Sequence, residues 1–290
     1  MSRSVVSSLL ENALDYFLSA AENARKDDLC SLKYSVLHVA ASVELALKAR
    51  LFMEHWSLIF ADVDKADEAA LKSGDFKSAD FQTVVERLAK IAKVPVSKQD
   101  LAHLGELRRL RNCIQHFALQ ITKPQASSLV AKGSNFLMDF CSRELPDDLA
   151  EFDGPMEEIK DQLGEFEEYV AVRLASIKGQ LEEAVCLLPC PECWQVTLRI
   201  GVGDPNCPFC GYQTQARELA ESFAESLVEE CPECDEETLS LRLLNNEDGY
   251  WLCTSCGYKA ESLSRCPRCG KFTTNDGACQ DCWDEFMQKD

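Results

Sequence analysis

The chain has 290 residues, is 46% hydrophobic and carries a formal net charge of −19. That length suggests about two domains, with more if some are small, and the apolar content suffices for a real core. No apolar run is long enough to span a bilayer, and the N-terminus (MSRSVVSSLLENALDYF) has early acids and no secretory apolar stretch. The expectation is a cytoplasmic protein without membrane contact.

Helical periodicity runs through residues 4–25 on Val6, Leu9, Leu10, Ala13, Leu14, Phe17 and Leu18. A longer helix is expected over 29–54, on a face that includes Leu32, Leu37, Val43, Leu47 and Leu51. Residues 55–76 are less regular and predict a loop with a short helical turn. A third helix fits 80–93 and is stopped by Pro95. Ser97, with Asp100 three residues on, has the form of a helix start, and LAHLGELRRLRNCIQHFAL continues it. Pro124 opens a helix over 124–144 that ends before Pro146, and a last helix is expected over roughly 155–186. Beyond it, residues 194–200 and 238–244 alternate as strands do, with a helix between them over 213–229.

Residues 190–290 hold six Cys-x-x-Cys pairs: Cys190/Cys193, Cys207/Cys210, Cys231/Cys234, Cys253/Cys256, Cys266/Cys269 and Cys279/Cys282. Two thiolates separated by two residues grip one metal ion from a tight knuckle, and a second knuckle completes a tetrahedron. The pairs therefore predict three tandem zinc ribbons with three structural Zn²⁺ ions. Redox dithiols are disfavoured by the regular grouping, and iron–sulfur centres by the absence of a typical cluster spacing. Four cysteines fall outside the pairs. Cys30, Cys113 and Cys141 read as small core residues, and Cys186 as a substitute ligand inferior to the Cys190/Cys193 knuckle.

Charge is uneven along the chain. Residues 181–290 hold 8 Lys+Arg against 21 Asp+Glu, a formal −13, while residues 1–180 hold 22 against 28, a formal −6. Phosphate binding needs a cationic face, and the tail mostly lacks one, its only local basic cluster being around Arg265, Arg268 and Lys271. Protein partners, or a structural role, are the better expectation for the ribbons than nucleic acid.

Two stretches of the N-terminal half carry a family resemblance. They are LHVAASVELALKARLFMEHWSLIF (37–60) and LRRLRNCIQHF (107–117), the second containing Arg111-Asn112-x-x-x-His116. Over roughly residues 1–180 the chain resembles the HEPN domains, small helical bundles of prokaryotic defence systems, toxin–antitoxin pairs and RNA-processing enzymes. The resemblance implies a homodimeric endoribonuclease that cuts RNA without metal and leaves a 2′,3′-cyclic phosphate. It assigns Arg111 and His116 to the catalytic motif.

Helix geometry puts Asn112 and His116 one turn apart on one face, near enough for the amide to orient the imidazole. Arg111 lies about 140° from His116 around the axis, so two motifs meeting in a dimer cleft would combine them more readily than one helix does. Glu44, an acid in the apolar stretch AASVELALKARL, is expected to contact Arg111, Asn112 or His116, with Lys48 and solvent as its alternatives. His38, His55 and His103 read as packing or surface residues, and Trp56 as core or dimer contact.

The expected architecture is a mainly α HEPN-like bundle followed by small α+β modules. Residues 1–180 form the helical domain, 186–214 ribbon one, 215–229 a bridging helix, 230–262 ribbon two and 263–290 ribbon three. Two other functions compete with the nuclease. One is a non-catalytic interaction module or antitoxin-like scaffold that docks a protein. The other, weakened by the acidic tail, is a nucleic-acid-binding regulator acting through the ribbons.

Overall fold

Two helices open the fold as an antiparallel hairpin: α1 (Ser2–Arg25) and α2 (Leu29–Glu54). In α2, Ser35 Oγ donates to the Ala20 carbonyl at 2.8 Å and Ser42 Oγ to the Ala13 carbonyl at 2.7 Å, so hydroxyls seven residues apart pin α2 along α1. Asp28 caps α2 by accepting from the Ser31 amide and hydroxyl, bonds that hold its carboxyl below the usual range. This computed structural model describes residues 2–26, 28–116, 121–223, 228–244, 248–273 and 277–287.

Helix α2 is buried around most of its circumference because further helices cover the sides that α1 leaves open. These are α4 (Phe81–Arg87), α5 (Lys98–His116) and α6 (Lys123–Glu144). Between α2 and α4 lie two 3₁₀ turns, Trp56–Ile59 and Val63–Lys65, and the short α3 (Glu68–Ser73). The Arg87 guanidinium fixes this irregular segment by donating to the carbonyls of Leu58 at 2.5 Å and Phe60 at 2.6 Å. The expected helix over 80–93 is present, but its last turn widens into a π-helix, Leu88–Ala92, and left-handed Lys93 (φ 60°) ends it. The expected start at Ser97 is real: its hydroxyl accepts the Asp100 amide at 3.0 Å and donates to the Asp100 carboxylate at 2.6 Å.

The expected helix over 155–186 is corrected by the structure. After α7 (Pro146–Leu149) the chain forms α8 (Asp153–Gly164) and α9 (Glu167–Glu182), separated at Glu165 and Phe166. Phe166 is buried at the break, so the core favours inserting its ring over one more turn of regular helix. Cys186 lies not in a helix but in β1 (Cys186–Pro189), paired antiparallel with β2 (Val196–Ile200). The expected helix over 213–229 is also shorter. Helix α10 spans Ala216–Phe223, residues 224–227 lie outside the described residues, and Glu229–Glu230 already forms β3.

By internal packing the chain forms two compact units, Met1–Ala175 and Ser176–Asp290, divided inside α9. In the second unit, β3, β4 (Glu237–Leu244), β5 (Asp248–Cys253) and β6 (Lys259–Ala260) make one antiparallel sheet in that order. β7 (Ser264–Arg265) and β8 (Phe272–Thr273) make a two-stranded ladder, followed by α11 (Gln280–Met287). Ribbons one and two close on each other over Val185. A Cβ on Gly201 or Gly257 would come within 2.4 Å or 2.7 Å of that side chain, and both glycines have positive φ. No described helix is long and apolar enough to cross a membrane.

Candidate metal centres and a candidate catalytic helix end

Five of the six cysteine pairs are built on a repeated local turn. The Cys190 amide donates to the Gln195 carbonyl at 2.9 Å, and the Trp194 amide returns to the Cys190 carbonyl at 2.9 Å. The same two bonds recur from Cys207 and Gly211, from Cys231 and Asp235, from Cys253 and Gly257, and from Cys266 and Gly270. This turn drives the residue after the second cysteine into left-handed space: Trp194, Gly211, Asp235, Gly257 and Gly270 all have φ between 59° and 83°. The sixth knuckle differs, because the Trp283 amide donates to the Cys279 carbonyl at 3.0 Å and the chain continues as α11.

The knuckles converge as the spacing predicts. Cys190, Cys193, Cys207 and Cys210 form one set, Cys231, Cys234, Cys253 and Cys256 a second, and Cys266, Cys269, Cys279 and Cys282 a third. Within each set the sulfurs lie within 4.8 Å of one another. Zinc bound by sulfur at about 2.3 Å defines a tetrahedron with edges of about 3.8 Å. The Sγ pairs Cys190–Cys210, Cys193–Cys207, Cys231–Cys256 and Cys234–Cys253 stand 3.7–3.8 Å apart, and Cys269–Cys279 3.5 Å. The donor sets therefore fit Zn²⁺, four thiolates closing each site and leaving no position for a substrate. Cys186 belongs to none of the three sets, which settles its role as substitute ligand in favour of Cys190.

A second layer of the sites was not anticipated from the cysteines. Thr197 Oγ1 lies 3.0 Å from Cys207 Sγ, and Thr238 Oγ1 lies 3.2 Å from Cys253 Sγ. Both hydroxyls are buried where they can donate to a thiolate. The signal was in the sequence as a threonine four residues after the second cysteine of each set: Thr197, Thr238 and Thr273.

In the helical unit, Arg111, Asn112 and His116 lie in the last turns of α5, with Asn112 and His116 exposed and Arg111 half-buried. Arg111 Nη1 donates to Asn112 Oδ1 at 3.0 Å, so the amide oxygen is engaged by the arginine and not by the imidazole. Arg108 stacks over the Phe81 ring at 4.5 Å, and Arg109 stays exposed. Glu44 pairs with Lys48 at 2.5 Å, and Lys48 also reaches Ser78 Oγ at 3.0 Å. Among the described residues Glu44 makes no hydrogen bond or ion pair with Arg111, Asn112 or His116. The buried Lys48 ammonium, one turn away, is the reason.

The remaining candidates separate by burial. His38 lies between the exposed rings of Tyr16 and Tyr34, with Nδ1 buried and unpartnered, and burial lowers its pKa. His55 caps the Trp56–Ile59 turn, and Trp56 packs edge-on to Phe60. Cys141 is in the core, its thiol pushed up to about 12 by burial, whereas Cys113 is half-buried and Cys30, expected in the core, is exposed at the start of α2. No family model, curated protein or solved structure matches the chain. What fold and sites define is a helical domain joined to three four-cysteine, zinc-ribbon-like modules.

Proposed function

We propose that the helical unit is a metal-independent endoribonuclease of the HEPN type, working as a homodimer in a prokaryotic defence or toxin–antitoxin setting, and that the acidic ribbons dock a protein partner. The observation that carries this reading is the gathering of Arg111, Asn112 and His116 at the accessible end of α5. His116 would serve as acid or base toward an RNA 2′-hydroxyl or its leaving oxygen. Arg111, steered by Asn112, would hold the phosphate and the charge that grows in the transition state. A partner copy would supply the second motif. The closed cysteine sites take no part in the cut.

The test is incubation of the zinc-loaded protein with tRNA and a mixed RNA pool, without added divalent ions. Wild type is expected to cut and leave 2′,3′-cyclic phosphate ends, and His116→Ala to lose about 10²–10⁴ of the rate. Equal cutting by both removes the site assignment. A second reading, a non-catalytic interaction module, is favoured by the exposed Trp194 and Val196 on ribbon one. No cutting by wild type, with partner binding intact in Arg111→Ala and His116→Ala, would select it.

A further inference from the structure

The three cysteine sites are not equally protected. In the first set Cys190, Cys207 and Cys210 are buried and Cys193 is half-buried; in the second, Cys231 and Cys253 are buried and Cys234 and Cys256 half-buried. Only in the third is a thiol exposed, at Cys269, and its neighbour Cys279 is half-buried. The supporting frame thins in the same direction. The second site rests on a four-stranded sheet and an apolar cluster around Leu239. The third rests on two strands of two residues each and on the eight-residue α11.

Cys269 Sγ and Cys279 Sγ stand 3.5 Å apart, so the accessible sulfur has a second thiolate beside it. Susceptibility to oxidation follows thiolate character and exposure, and zinc ligation keeps cysteines as thiolates.

We infer that Cys269 is a peroxide-reactive site and that Cys279 resolves it, making the third zinc site a redox-labile one. The Cys269 thiolate attacks one peroxide oxygen. The O–O bond breaks, and sulfenic acid and one hydroxide form. The Cys279 thiolate then attacks the sulfenic sulfur, forming the disulfide and expelling a second hydroxide. Two thiolates lose two electrons, the peroxide gains them, and Zn²⁺ departs with half of its ligands gone.

The consequence falls on α11. Cys279 precedes it and Cys282 lies within it, while Arg268 holds the Cys282 carbonyl at 3.0 Å and Glu285 at 2.9 Å. A helix of eight residues does not persist alone, since isolated helices below about 12–15 residues are marginal in water. Oxidation would therefore dissolve α11 and with it the exposed face of Trp283, Phe286 and Met287. That face would be presented in the reduced, zinc-loaded state and lost in the oxidised one.

The experiment uses the full-length zinc-loaded protein and hydrogen peroxide. Zinc release is followed with a chromophoric chelator, and free thiols are alkylated at intervals for peptide mapping. One equivalent of zinc should leave about tenfold faster than the rest, in step with a Cys269–Cys279 disulfide, and return on thiol reduction with added zinc. The same course is expected in Cys30→Ser, which removes the exposed cysteine of the helical unit. Release of all three ions in one phase, disulfides appearing first in the other sets, or loss of the fast phase in Cys30→Ser would each overturn the inference.

Discussion

At the residue scale, Glu44 shows how a chemically suggestive side chain can be committed elsewhere. Lys48 is buried, and Glu44 and Ser78 are its partners. Removing the carboxylate leaves an ammonium with little access to water, a defect that costs 3–5 kcal/mol when fully buried. Glu44 is itself 39% exposed, so Glu44→Ala should cost less, about 1–3 kcal/mol, and a urea midpoint will measure it. If RNA cleavage per folded molecule is unchanged in that variant, Glu44 is structural. Gly133 in α6 is similarly constrained, since a Cβ there would sit 2.6 Å from Val39 Cγ1 on α2. Gly133→Ala is expected to lose about 1–2 kcal/mol, because overpacking exceeds the gain in helix propensity. His38 carries a pH signature. Its folded pKa lies below 6.5 because burial disfavours the charged ring, so the unfolded chain binds the proton more readily. Its stabilising contribution is complete above pH 6.5 and declines as pH falls below that value. Chemical denaturation at pH 7.5 and 5.5 should give a smaller difference in His38→Gln than in wild type.

At the element scale, the knuckle is the unit that local sequence specifies best. Its left-handed position is occupied by glycine in Gly211, Gly257 and Gly270, but by tryptophan at 194, where φ is 59° and the residue is 79% exposed. An L side chain pays roughly 1–2 kcal/mol in that region, so Trp194→Gly should raise the thermal stability of ribbon one while removing an exposed aromatic group. Unchanged or lower stability would mean that the indole contributes packing to the fold. The same locality explains what could be read in advance. The cysteine spacing, the Ser97–Asp100 start and the bounds of α2 depend on residues within a few positions of one another. What escaped reading depends on distant partners. Strand β5 exists because Trp251 and Cys253 pair with Leu241 and Leu239, and the break before α9 because Phe166 is drawn into the core. The π-turn at Leu88–Ala92 and the Lys48 claim on Glu44 are likewise products of packing that one helix does not reveal. Arg111, Asn112 and His116 were legible as a motif on one helix, whereas their side-chain pairing depended on which neighbour the amide found.

At the scale of the whole molecule, the two units are held by different forces, and that difference can be tested. The helical unit buries Leu10, Phe17, Leu32, Leu47, Leu107 and Phe140 in a core assembled from several helices. Its stability comes mainly from apolar surface removed from water, at roughly 25 cal/mol per Å². The ribbon unit has a smaller core, in which Leu188, Leu198, Ile200, Phe209, Leu219 and Leu252 are buried. Beside the ligands Cys231 and Cys253 the fully buried apolar residue is Leu239, with Trp251 and Tyr258 of the second ribbon and Phe272 of the third only partly covered. For such modules metal affinity is folding free energy, about 10–16 kcal/mol per structural zinc in small zinc-finger peptides. The acids of residues 181–290 add self-repulsion that opposes the compact state and that metal binding has to offset. Stripping the metal with a strong chelator under reducing conditions should therefore remove amide protection across β1 to α11 and leave it nearly intact in α1, α2 and α6. Hydrogen exchange read by mass spectrometry resolves the two regions in one experiment. Readdition of zinc should restore the lost protection. If chelation instead unfolds the helices along with the ribbons in a single transition, the division of forces between the units is wrong, and the zinc sites support the helical core as well.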